Sequence, residues 1–184
     1  MNTLIEVTNL TKVYGKYTAV NDLSFTVKEG EILGFLGPNG AGKSTTMNML
    51  TGYLSSTSGT IKINGIDILE NPIEAKKNIG YLPEIPPLYL DMTVSEYLSF
   101  VAKLKKVSVK DLKSHIDKIV KRLSLEPVAG RLIKHLSKGY RQRVGLGGAL
   151  IGSPKVLILD EPTVGLDPKQ IIEMRELIKD LSKE

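Results

Sequence analysis

The sequence predicts an α/β fold with an antiparallel β-subdomain at its N-terminus and an inserted α-helical subdomain. Three observations carry this prediction. Short β-type runs crowd residues 3–36 and return at 59–65 and 155–160, while helical periodicity marks 93–123 and 168–183. Between the first group of strands and the helices lies a proline-rich stretch, residues 81–89. At 184 residues with 41% hydrophobic side chains, the chain can bury one real core with a smaller lobe attached.

The elements follow in order. LIEV, AVNDLSFTV and EILGFL, punctuated by Gly15, Asn21-Asp22 and Gly30, read as a hairpin-rich sheet. After a glycine-rich turn, Thr45 to Leu50 take a helical pattern, and GTIKING at 59–65 returns to a short strand and tight turn. The three prolines of YLPEIPPLY forbid regular structure and mark a hinge. Val94, Leu98, Val101 and Ala102 then recur at helical spacing, as do Leu112, Ile116, Ile119, Val120 and Leu123. A third helix begins after Ser137, and KVLILD at 155–160 reads as a buried parallel strand. In the last segment Ile171, Met174, Ile178 and Leu181 share one face, with Pro168 in the first helical turn. The expected organisation is a core made of 1–85 and 153–184, with residues 86–152 inserted as the helical subdomain.

Charge and composition exclude several classes. The 25 Lys and Arg against 20 Asp and Glu give +5, a modest excess of the kind that solvated lysines produce, and no nucleic-acid partner is expected. The absence of cysteine excludes a disulfide framework or a thiolate metal site and suits a reducing compartment, the cytoplasm being the expectation. No charged leader precedes an apolar run at the N-terminus, and runs such as VLIL fall well below the roughly 20 residues of a spanning helix. The chain by itself is not expected to cross a membrane. His115, on an amphipathic helix, and His135 read as structural or exposed.

Gly37-Pro38-Asn39-Gly40-Ala41-Gly42-Lys43-Ser44 fits G-x-x-x-x-G-K-[ST] at every fixed position, with a strand entering and a helix leaving. Glycines let backbone N–H groups curl around phosphate oxygens, and the helix that follows adds its positive end. Lys43 can reach the β- and γ-phosphates, and the Ser44 hydroxyl, next to Thr45, can ligate Mg²⁺. An ordinary glycine turn would explain neither the lysine nor the adjacent hydroxyl, so the core is read as a P-loop NTPase core. VLILDEPT at 156–163 supplies carboxylates where open α/β sheets place their ligands, at a strand's C-terminal end. Asp160 can hold hydrated Mg²⁺, and Glu161 can polarise a water for attack on the γ-phosphate. Further along, Ser137 is placed as an N-cap and Gly139 lets backbone come close, so that helix can aim its positive end at an anion or simply cap and pack the small lobe.

With these residues in order, the sequence resembles the nucleotide-binding subunit of ABC transporters over essentially its whole length. KVYG, GPNGAGKST, LSKGYRQ, LILDEP and GLDP are similar to five motifs of that family in its own order. The resemblance makes Tyr14 the aromatic that stacks on adenine, the alternative being a sheet-edge aromatic. It makes Asp167 a link between two nucleotide sites, the alternative being a cap on the last helix. Ser137 and Gly139 would meet the γ-phosphate of a second protomer, although Lys138 and Tyr140 replace a glycine and the glutamine of the usual L-S-G-G-Q. Glu84 stands where the family has a glutamine that senses Mg²⁺ and the attacking water, so it is expected at the metal and the reaction centre or, failing that, as a hinge residue.

The implied activity is ATP hydrolysis with Mg²⁺, coupled to transport. Two protomers, identical or not, would sandwich two ATP molecules head to tail and drive separate transmembrane permease subunits. That arrangement would place the chain on the cytoplasmic face of the membrane. YLPEIPPLY and LSKGYRQR resemble the prokaryotic exporter-like branch. The alternative is a soluble ABC-type ATPase acting on ribosomes or DNA, whose members usually carry two cassettes or long inserted arms. A small GTPase would need Asn-Lys-x-Asp, which does not occur. The family also expects a histidine on the strand after the last helix; this sequence stops at DLSKE before reaching one. The expectation is therefore a single cassette lacking that segment, able to bind nucleotide and poor at hydrolysing it.

Overall fold

The computed structural model describes residues 2–183 and divides into two compact units, one running to Ile79 and rejoined by the C-terminal residues from Leu181, the other Gly80–Asp180. The α/β class is borne out.

The first unit is built on a four-stranded antiparallel sheet in the order β2-β1-β3-β4, with β1 Thr3–Tyr14, β2 Tyr17–Lys28, β3 Ser58–Ile63 and β4 Ile66–Asp67. β1 and β2 form one long hairpin whose last pair is Tyr14↔Tyr17. Its register slips around Asn9 and Asp22, both at positive φ, and the Asn9 amide side chain donates to Asp22 at 2.7 Å across the irregularity. Asn64 and Gly65, also at positive φ, make the tight turn from β3 to β4 that suits strand twist. Leu10, Ile61 and Ile63 are buried in this unit, together with Met49 and Leu50 of α1 (Lys43–Leu50). A short helix unread in the sequence, α2 (Pro72–Lys77), starts on its proline.

EILGFL departs from expectation. Residues 31–38 form no strand, Leu36 is 97% exposed, and Ile32 and Leu33 are exposed with it. A β-type side-chain pattern becomes a strand only when a neighbour completes its ladder, and no described strand hydrogen-bonds to this one. Phe35 is anchored edge-on to Phe25 of β2, with ring centroids 5.3 Å apart, and Glu31 exchanges hydrogen bonds with the Lys28 backbone.

The second unit pairs β5 (Ile79–Leu82) with β6 (Val156–Leu159) and packs α3 (Val94–Leu104), α4 (Leu112–Arg122) and α5 (Lys138–Leu150) against one another. The helices begin where local chemistry allows. Thr93 and Glu96 form a reciprocal capping box, the Thr93 hydroxyl accepting from the Glu96 N–H at 3.2 Å and the Glu96 carboxylate from the Thr93 N–H at 2.8 Å. Leu98 of α3, Ile119 and Val120 of α4, and Val144 and Leu146 of α5 fill the interior. At the far end of α5 the Lys105 ammonium donates to the carbonyls of Ala149 and Ile151, at 3.2 and 2.8 Å, satisfying acceptors that a helix end leaves open. α6 (Pro168–Leu181) begins on its proline, as expected, and ties to α5 through Arg143 and Glu173, 2.5 Å apart.

Candidate functional site

In the first unit the glycine turn leads directly into α1. Gly42 is the N-cap, with φ 84° and ψ 7°, a left-handed conformation that L side chains resist. A Cβ there would also strike the Ala19 carbonyl oxygen, so the position admits glycine on two separate grounds. Thr46, buried in the first turn, donates its hydroxyl to the Gly42 carbonyl at 2.9 Å and pins the helix start. The turn's internal bond runs from the Ala41 N–H to the Pro38 carbonyl, 3.2 Å. Among the described residues, the N–H groups of Gly42, Lys43, Ser44 and Thr45 donate to no protein acceptor. Four unengaged amides at a helix start match the oxygens of a phosphate.

The Lys43 ammonium folds back over the loop and donates to the carbonyls of Gly37 and Pro38, at 2.7 and 2.9 Å. Ser44 is exposed, with a hydroxyl that makes no hydrogen bond among the described residues, and Asn39 and Gly40 lie exposed on the rim. Tyr14 sits at the hairpin end, 48% exposed, with the Lys12 ammonium 5.2 Å from its ring centroid. Tyr17, which belongs to no sequence motif, reaches the phosphate loop: its hydroxyl donates to the Gly40 carbonyl at 3.3 Å. The only signal for it was its place opposite Tyr14 across the Gly15-Lys16 turn, and only the hairpin register turns that into a contact.

In the second unit β6 delivers Asp160 half-buried, its N–H donating to the Leu82 carbonyl at 2.9 Å. Burial, helped by the Asp160 carboxylate, pushes the neighbouring Tyr81 phenol up. Glu161 is exposed and held at φ 47°, a region costly for any side chain but glycine, asparagine or aspartate. Strain of this kind concentrates where a side chain must be aimed. Glu84 is exposed in the bend after β5, beside the 81%-exposed Ile85.

The first turn of α5 is keyed to the loop before α6. The Ser137 hydroxyl caps α5 by accepting from the Tyr140 N–H at 3.4 Å. Lys138 lays its ammonium over Gly165, in the space a Cβ would need, and Gln170 does the same for the buried Gly139, with its Oε1 2.5 Å from that Cβ position. Asp167 accepts from the Gln170 N–H at 2.9 Å, so its carboxylate does cap α6. Among the described residues no three His, Cys, Asp or Glu side chains converge as metal ligands, and no helix is long and apolar enough to cross a membrane.

An open-amide helix start carrying lysine and hydroxyl, together with a strand ending in two carboxylates, defines a P-loop nucleotide-binding α/β protein. A sequence model of the ABC transporter family matches residues 20–164, and the chain belongs to that family. It is 44% identical over its whole length to the bacitracin transport ATP-binding protein BcrA of Bacillus licheniformis and 42% to the uncharacterized ABC transporter ATP-binding protein YhcH of Bacillus subtilis. The chain spans 59% of the length of each. Among solved structures it is similar to cbiO1 from Clostridium perfringens, part of the ABC transporter complex cbiONQ. There the TM-score is 0.90 at 31% identity, covering all of this chain and 75% of that one.

Proposed function

We propose that the chain belongs to the ATP-binding subunit of an ABC transporter, hydrolysing ATP to power movement of a solute through separate transmembrane permease subunits. The observation that carries this reading is the set of unengaged amides from Gly42 to Thr45 beneath the Lys43 ammonium. These groups bind the β- and γ-phosphates, with Gly37, Asn39, Gly40 and Ala41 shaping the loop. Tyr14 offers its exposed ring to adenine.

Ser44 and Asp160 would hold Mg²⁺, with Glu84 as a further acceptor; the uncommitted hydroxyl of Ser44 fits such a ligand. When bound, the ion offsets phosphate charge. Glu161 accepts the proton of the attacking water. Ser137 and Gly139 present the start of α5 to the γ-phosphate held by a second protomer, and Asp167, besides capping α6, links the two sites. The subunit works at the cytoplasmic face of the membrane. The name of BcrA, a bacitracin transport ATP-binding protein, favours an antimicrobial compound as the solute.

Phosphate release from Mg-ATP by this chain, measured beside Glu161→Gln, tests the reading. Loss of a general base should slow turnover by about 10²- to 10⁴-fold. Equal rates in the two proteins would remove Glu161 from the mechanism, and failure of the parent to bind ATP at all would remove the nucleotide assignment.

A further inference from the structure

The charge of this chain is concentrated in one place. Residues 103–122, the end of α3, the turn that follows and α4, carry eight Lys or Arg against Asp111 and Asp117, a net +6 where the whole chain is +5. Everything outside these 20 residues is therefore slightly negative.

We propose that the α3–α4 turn and the outer face of α4 form a docking surface for an anionic lipid bilayer. α4 buries Ile116, Ile119 and Val120, which leaves Lys113, Lys118 and Lys121 on the exposed arc. Lys106 and Lys110 extend that arc through the turn. Among the described residues none of these five lysines has a carboxylate within ion-pair distance. Between and beside them the turn holds out two apolar side chains, Leu104 at 65% and Val109 at 88% exposure.

That pairing selects the partner. Lysine heads meet lipid phosphates while Val109 and Leu104 gain by entering the acyl boundary, the division of labour of an interfacial membrane element. Nucleic acid offers phosphates too, but the segment has no Phe, Tyr or Trp to stack on bases, its one histidine is engaged by the Gly152 N–H, and exposed valine and leucine gain nothing from a phosphate backbone. The magnitude decides whether such a patch matters. Each basic residue close to an anionic surface raises affinity about five-fold, so five together reach about three orders of magnitude. None of these residues is among those assigned to nucleotide chemistry, and the test uses no nucleotide.

The experiment is co-sedimentation of this chain with vesicles of phosphatidylcholine alone or with a phosphatidylglycerol minority, at physiological salt. Binding is expected to the anionic vesicles only. The triple change Lys106→Glu, Lys110→Glu, Lys113→Glu should weaken it by at least about 100-fold, and Val109→Asp should weaken it on its own. Lys16→Glu, Lys28→Glu, Lys62→Glu, an identical change in net charge at exposed positions of the β-sheet unit, should leave most binding intact. Equal loss from both triples, equal binding to neutral vesicles, or preferential capture of a short DNA duplex by the same lysines would each overturn the proposal. None of those results would bear on ATP hydrolysis.

Discussion

Lys43 Nζ donates to the Gly37 carbonyl at 2.7 Å, so the phosphate loop holds its own cation at its rim. A nucleotide must replace these carbonyl contacts with phosphate contacts, exchanging neutral acceptors for charged ones. Lys43→Met should weaken ATP binding by about 10- to 100-fold, the worth of a charge-assisted hydrogen bond. Chemical denaturation should change by less than about 1 kcal/mol, because the carbonyls it abandons face solvent. Isothermal titration calorimetry reads the first quantity, and an unchanged affinity would take Lys43 out of the site.

Glu161 lies at φ 47°, where a glutamate is strained and an asparagine is not. Glu161→Asn should stabilise the fold by about 0.5–1 kcal/mol while abolishing hydrolysis, since strain held at a reactive group is released when the group is surrendered. Urea unfolding of the two proteins supplies the comparison. A destabilised variant would mean that the glutamate makes contacts worth more than its backbone strain.

His115 accepts from the Gly152 N–H through Nε2 at 3.1 Å, a bond only the neutral ring can make. Burial, then the charges of Lys118 and Lys105, hold its pKa below the ordinary histidine value of 6.5. With the folded value depressed, the unfolded chain binds more protons just below pH 6.5, so stability is full above that pH and falls as the pH drops through the folded pKa. Thermal melts of parent and His115→Gln between neutral and mildly acid pH should therefore converge in slope only above the window. Parallel curves throughout would show that the imidazole does not titrate against the fold.

Arg143 joins α5 to α6 by its bond to Glu173, and a second guanidinium nitrogen donates to the Leu123 carbonyl at 3.2 Å. The arginine is mostly buried and the glutamate partly exposed, which places the pair above a surface ion pair and below a buried one. A double-mutant cycle with Arg143→Met and Glu173→Gln should give a coupling of about 1 kcal/mol. A coupling near zero would leave the α5–α6 junction to Lys138, Gly165 and Gln170 alone.

Sequence alone was sufficient for the phosphate loop, the cap at Ser137, the proline start of α6, and the apolar faces of α3, α4 and α6. Each of these depends on residues within one or two turns of each other, and steric and hydrogen-bonding rules act at that range. The α/β class and the family followed from the order of those local signals. Tertiary structure decided the rest. EILGFL has every side-chain property of a strand and stays unpaired, because a ladder needs acceptors and donors from another part of the chain. Tyr17 meets Gly40, Lys138 covers Gly165 and Arg143 finds Glu173 only through the hairpin register and helix packing that bring them together. The same holds for the lysines of α4: their number is a property of composition, but burial of Ile116, Ile119 and Val120 is what turns them onto a single face. Local conformation is set by neighbours in sequence; partnership is set by contacts whose loop-closure entropy is offset only once the core has formed.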